Sequence, residues 1–223
     1  MLPGMTLDLS RFDAAIVDLD GTMVDTLGDF VVALNLMLDD LSLPPVAAAT
    51  VARMVGKGSE HLILSVLAHV QAPAQESFDR AWARYQHHYR EVNGRHSTVY
   101  PGVVDGLQTL RARGLKLACL TNKPTAFAKS LLATKGLDGF FAVTFGGDAF
   151  ERKKPDPLPL RKACEALGTD PARTLMIGDS SNDARAARAA GCPVVLVRYG
   201  YNHGEPIESV DADGFVDSLE ALG

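Results

Sequence analysis

The order in which its elements follow one another constrains this chain most. Ala14–Leu19 is a short apolar run ending among acidic residues, the pattern of a buried strand with polar groups at its exit. Only helical signals come next. Phe30, Val31, Leu34, Leu38 and Leu41 recur at helical spacing until Leu43-Pro44-Pro45 stops them, and His61–Val70 and Phe78–Val92 read as two further helices. From Tyr100-Pro101-Gly102 onward strand and helix alternate. Val103–Arg113 is a helix stopped by Gly114, Leu115–Leu120 a strand, and Thr125–Thr134 a helix closed by Lys135-Gly136. Ala142–Phe145 is a strand, Leu158–Leu167 a helix, Thr174–Ile177 a strand, Asp183–Ala190 a helix closed by Gly191, and Val194–Val197 the last strand. Such alternation implies an α/β fold, a parallel sheet with helices on both faces. The simplest arrangement is one α/β core, residues 1–22 and 99–223, interrupted after its first strand by a helical insert, residues 23–98. In such sheets the ligand crevice lies outside the carboxyl ends of the strands, where the insert would sit as a lid.

The length of 223 residues is ample to bury a core without staples, and no apolar run approaches the roughly 18–20 residues a membrane span needs. Met1–Arg11 lacks the basic and apolar regions of a signal peptide, and Met5 offers an alternative start. A net charge of −5 without a long basic run argues against nucleic-acid binding, which relies on Lys and Arg to neutralise phosphates. Cys119, Cys164 and Cys192 are odd in number and form no Cys-x-x-Cys pair. They read as small buried hydrophobes in a reducing, cytoplasmic setting, not as a disulfide framework or zinc site.

The function should therefore lie in the residues that leave each strand. The first strand leaves as Asp18-Leu19-Asp20-Gly21-Thr22, and residues two apart on an extended chain face the same side. Gly21 permits the sharp turn that follows, and Asp25 reads as a helix cap beside Thr26. The second strand leaves as Thr121-Asn122-Lys123-Pro124, bringing a hydroxyl and an amide that can bind an anion. Lys153-Lys154-Pro155 places a cation before a helix, and Gly178-Asp179-Ser180-Ser181-Asn182-Asp183 adds two carboxylates, with Asn182 or Asp183 able to cap the next helix. Each stretch taken alone reads as a polar turn, a cap or a solvated basic patch. Together, at one sheet edge, they form a constellation. Clustered carboxylates repel one another unless a cation is present, and hard oxygen ligands with open positions suit Mg²⁺. A lysine and a threonine hydroxyl would orient phosphoryl oxygens, and phosphoryl transfer needs little beyond such positioning.

The ordered set Asp18-x-Asp20-Gly21-Thr22, Thr121-Asn122, Lys154-Pro155 and Gly178-Asp179-x-x-x-Asp183 resembles the four motifs of the haloacid dehalogenase-like phosphatases, over nearly the whole chain. The resemblance implies a Rossmann-like core with a small α-helical cap. It implies Asp18 as nucleophile forming a phosphoaspartyl intermediate, and Asp20 as general acid and then base. It implies Thr121 and Lys154 as phosphoryl-binding residues. Mg²⁺ would be held by Asp18, the Asp20 backbone carbonyl and Asp179, with Asp183 as a ligand or a partner of the ligands. Lys154 is preferred over Lys153 because it directly precedes Pro155, as the family's lysine usually does. The Thr121–Pro124 and Lys154–Pro157 stretches, with Tyr199-Gly200-Tyr201-Asn202, look most like the phosphoglycolate phosphatases within that family.

That likeness implies a small phosphorylated metabolite as substrate, 2-phosphoglycolate first, and leaves monomer and homodimer both open. Substrate choice would belong to the insert, where Arg53 or Lys57, beside Gly56 and Gly58, could pair with a substrate carboxylate. A solvated helix connection is an equal reading of that loop. Adjacent His87 and His88 read as surface residues, Trp82 and Tyr85 as core, and His203 as part of a loop. Rival functions are a related phosphatase acting on a sugar phosphate, nucleotide or pyrophosphate, a phosphomutase using the same two aspartates, and a phospho-accepting signalling module. A receiver module needs neither Asp20 nor an inserted cap, and Thr22 favours a phosphatase over a mutase.

Overall fold

The computed structural model describes residues 8–222; an alternative start at Met5 lies outside the described residues. In chain order the elements are β1 (Ala14–Val17), β2 (Val24–Asp25), α1 (Leu27–Asp40), α2 (Ala48–Ala52), α3 (Ser59–His69), α4 (Ala74–Val92) and β3 (Thr98–Val99). They continue with α5 (Val103–Ala112), β4 (Lys116–Leu120), α6 (Thr125–Thr134), β5 (Val143–Phe145), α7 (Leu158–Leu167), β6 (Thr174–Gly178), α8 (Ser181–Ala190), β7 (Val194–Val197) and β8 (Gly214–Val216). Six strands form one sheet in the order β5-β4-β1-β6-β7-β8, and every pairing in it is parallel.

Alternation along the central strand builds two cores. Ala15 and Val17 join Leu117, Ile177 and the apolar faces of α5 and α6, whereas Ala14 and Ile16 join Met176, Leu196 and the faces of α7 and α8. All four residues of β1 are buried, which is why that segment reads as an unbroken apolar run. Helices α1 to α4 make a third cluster around Leu34, Leu38, Ile63, Leu67, Tyr85 and Tyr89, to which the sheet side contributes Tyr201.

The strand expected over Ala14–Leu19 ends at Val17. The Leu19 carbonyl turns instead to the amides of Met23 and Val24, 3.0 and 3.1 Å away, closing a loop around Gly21 at φ +84°. Four short elements were not legible: α2, the edge strand β8, and the antiparallel pair β2 and β3 through which the chain leaves and re-enters the sheet region. None is long enough to display a period. At that passage the buried Asp29 carboxylate accepts the amides of Gly94 and His96, both at 2.7 Å. Gly28 lies so close to the His96 carbonyl that a side chain there would collide with it.

Candidate active site

Because β1, β4 and β6 are neighbours and parallel, their exits open at one place. Asp18 is fixed there by its amide, which donates to the Ile177 carbonyl at 2.9 Å, and Thr121 by its amide, which donates to Phe145 at 3.0 Å. Lys154 enters from the loop before α7, almost fully buried at 3% exposure. Its Nζ donates to the Leu120 carbonyl at 2.8 Å and to Asp183 Oδ1 at 2.7 Å, and stands 2.9 Å from Asp18 Oδ1. Asp183 Oδ2 accepts from the Ser180 amide and hydroxyl at 3.2 and 2.8 Å and from the Asp179 amide at 3.3 Å. Ser180 is thus the residue that opens α8, and Asp183 caps it from the first turn. The capping expected of Asn182 or Asp183 is thus carried by Asp183, with Ser180 in the N-cap position itself.

Asp179 is held by one backbone amide and one side-chain hydroxyl. Its Oδ2 accepts the Tyr201 amide at 2.6 Å, and its Oδ1 accepts the Thr22 hydroxyl at 3.3 Å. A side chain at Gly21 or Gly200 would run into this carboxylate, so both glycines are required by close approach.

Asp18, Asp179 and Asp183 offer oxygens within 4.8 Å of one another, all buried. Burial pushes the Asp18 carboxyl up to about 7, with Lys154 opposing and Asp183 adding to the rise. Burial, then Asp183 and Asp18, push Asp179 well above the carboxylate range. Burial works against the Lys154 charge, yet Asp18 and Asp183 hold the ammonium above the ordinary lysine range. Three carboxylates with one lysine leave an excess of negative charge. That donor set, all hard oxygen, suits a divalent cation such as Mg²⁺.

Asp18, Asp20, Thr121 and Asn122 face a cavity of about 30 Å³ closed by Phe30, Val55, Leu62 and Tyr89 from the helical insert. Both amide protons of Asn122 are committed, to the carbonyls of Gly56 at 3.0 Å and Lys154 at 2.9 Å, so its Nδ2 ties loops together instead of meeting a ligand. Arg53 is exposed and packs beside Gly204 on an outer cleft, while Lys57 lines a separate groove with Glu60 and Arg185. Neither lines the central cavity; the tight Gly56–Gly58 loop directs backbone toward it. Lys153 is half-exposed and lies 3.6 Å from Glu60, which separates it from the buried Lys154.

His88 is not a free surface residue: its Nε2 contacts Asp40 Oδ2 at 2.5 Å. Tyr85 is fully buried, as expected for core. Asp25 accepts the Leu27 amide at 3.2 Å and a short bond from the Tyr201 hydroxyl, and that hydroxyl accepts the Thr26 and Leu27 amides at 3.0 and 3.1 Å. Tyr201 therefore links the start of α1 to Asp179, a role its place in the sequence did not disclose.

Sequence reasoning also passed over Lys123. Only 5% exposed, it places Nζ 2.7 Å from Asp20 Oδ1 and 4.6 and 4.9 Å from the ring centres of Phe30 and Tyr89. Its position at a strand exit, directly before the proline that opens α6, was the available signal.

Fold and site together define an α/β enzyme that gathers carboxylates, a threonine and a buried lysine at the central strand exits of a parallel sheet. The family description "haloacid dehalogenase-like hydrolase" matches residues 12–191. A phosphoglycolate phosphatase of Cupriavidus necator is 48% identical over 210 residues, 94% of this chain and 90% of its own length. One from Thiobacillus denitrificans is 45% identical over 92% of each chain. A solved structure from Haemophilus somnus, described as a predicted phosphoglycolate phosphatase, superposes with a TM-score of 0.91 at 32% identity, covering 95% of this chain and 96% of that one. The chain belongs to the haloacid dehalogenase-like hydrolases.

Proposed function

We propose that this chain is a Mg²⁺-dependent phosphomonoesterase that hydrolyses 2-phosphoglycolate to glycolate and phosphate through a phosphoaspartyl intermediate on Asp18. The observation that carries the chemistry is Asp18 itself, a buried carboxylate 2.9 Å from the Lys154 ammonium and within reach of Asp179 and Asp183. The substrate is supported by the names of the relatives.

In this reading Asp18 attacks phosphorus and the ester oxygen departs. Asp20, at the rim of the same cavity, gives that oxygen a proton, then takes one from the water that hydrolyses the acyl phosphate. The Thr121 hydroxyl donates to a phosphoryl oxygen, and Lys154 balances the charge gathered between Asp18 and the phosphoryl group. Asp18, the Asp20 carbonyl and Asp179 would hold Mg²⁺. Both Asp183 oxygens are engaged by Lys154, Ser180 and Asp179, so Asp183 supports those ligands from behind. When bound, Mg²⁺ supplies charge neutralisation of the phosphoryl oxygens. Residues 23–98 act as the cap, whose closure keeps bulk water from the intermediate. A cytoplasmic setting fits three buried free cysteines, and no helix among the described residues is long and apolar enough to cross a membrane.

The test is phosphate release with and without Mg²⁺ from 2-phosphoglycolate, sugar phosphates, nucleotides and pyrophosphate. A lead for 2-phosphoglycolate in kcat/KM by orders of magnitude supports the proposal. A lead for another ester overturns the substrate, and isomerisation of a sugar phosphate without release overturns the hydrolysis.

A further inference from the structure

We infer that Lys123 is the specificity-determining residue, its ammonium receiving the carboxylate of the leaving group. This rests on the phosphatase reading above and assigns the substrate contact to the sheet side of the site, not to Arg53 or Lys57 of the cap.

Lys154 and Lys123 are both buried, but their donors are used differently. An ammonium carries three N–H donors. Around Lys154 three oxygens stand within 2.9 Å, those of Leu120, Asp183 and Asp18, so this lysine is fully occupied on the phosphoryl side. The Lys123 ammonium makes one hydrogen bond among the described residues, to Asp20 Oδ1 at 2.7 Å. Its remaining two N–H groups meet no acceptor, and the flanking faces of Phe30 and Tyr89 stabilise the charge without accepting a directed bond. A buried ammonium with open donors is costly to maintain and well suited to an anion.

Geometry gives that anion its place. Lys123 is the one Lys or Arg among the residues lining the central cavity. It adjoins Asp20, which faces the ester oxygen in this reading, and lies against the cap rings of Phe30 and Tyr89. In a short phosphorylated hydroxy acid the carboxylate is separated from the ester oxygen by a single carbon. With phosphorus at Asp18 and the ester oxygen at Asp20, that carboxylate falls beside Lys123. The chemical class selected is therefore a phosphate ester of a small α-hydroxy acid, discriminated from a neutral ester of the same length.

The experiment compares wild type with Lys123→Met on 2-phosphoglycolate and on 2-hydroxyethyl phosphate, its neutral counterpart, with Mg²⁺ present. Losing the partner of Asp20 lowers both rates, and that effect cancels in the ratio of the two kcat/KM values. The ratio should fall on the order of 30-fold in Lys123→Met, the scale of one lost charge-assisted hydrogen bond. Lys123→Arg should retain most of it. Inhibition by glycolate should weaken in parallel in the methionine variant. A ratio that stays constant while both rates drop would overturn the inference and leave Lys123 a partner of Asp20 alone. Should the methionine variant not fold, Lys123→Gln supplies the same comparison. Failure of the underlying function is visible separately, since wild type would then prefer the neutral ester or release no phosphate.

Discussion

Replacing Asp18 by Asn should stabilise the metal-free protein while abolishing turnover. Asn matches the carboxylic acid in size but cannot ionise. The sign follows from burial, which lifts Asp18 from 3.8 to about 7 in the folded chain. A carboxyl raised on folding costs nothing below its unfolded value; the penalty grows as pH rises through the window and levels off above the folded value. At roughly 1.36 kcal/mol per pH unit the cost is about 4 kcal/mol at pH 8 and about 2 kcal/mol at pH 5. In a chain of this length each kcal/mol moves Tm by roughly 2–4 °C, so the variant should melt on the order of 10 °C higher at pH 8 in EDTA. Urea unfolding of both proteins from pH 5 to pH 8, with EDTA, reads the difference directly. A variant less stable than wild type at pH 8, or a gain that does not grow with pH, would refute the account of a carboxylate held against its own desolvation.

Other expectations follow from the same geometry. Mg²⁺ must displace protons from Asp18 and Asp179, both raised chiefly by burial, so calorimetric Mg²⁺ affinity should weaken by about tenfold or more from pH 8 to pH 6. Lys154→Met strands two buried carboxylates and should cost about 3–5 kcal/mol in denaturant unfolding. The same variant should lower kcat on the order of 100- to 1000-fold, the scale of losing a preorganised oxyanion donor. Asp29→Ala removes the acceptor of the Gly94 and His96 amides and should destabilise by about 2–4 kcal/mol in denaturant unfolding, with Asn recovering part of the loss.

The central strands were legible because β1, β6 and β7 are buried throughout and β4 nearly so, and therefore appear as apolar runs, while the flanking helices carry one apolar face and end in glycine. The carboxylates at the exits of β1 and β6 were legible for a related reason. Parallel topology forces strand exits to one edge, so spacing along the chain becomes proximity in space. What escaped depends on partners distant in sequence. Lys123 acquires its meaning from Asp20 and from two rings of α1 and α4, and Tyr201 from Asp25 and Asp179. Asn122 lines the cavity as its place at a strand exit suggests, but the carbonyls that take its Nδ2 belong to loops whose approach no local pattern encodes. Arg53 and Lys57 failed to reach the cavity because Gly56 and Gly58, both at positive φ, set the course of that loop. The β2–β3 pair and β8 were too short to leave a period.

The central claim is that Asp18 takes the phosphoryl group. The most direct measurement is acid-quenched single-turnover labelling with ³²P-labelled 2-phosphoglycolate and Mg²⁺, followed by peptide mapping of wild type and Asp18→Asn. Label on the peptide carrying Asp18, transient in wild type and absent from the folded Asn variant, is the predicted result. Phosphate release at wild-type rate by Asp18→Asn, or label mapping to another residue, would contradict it.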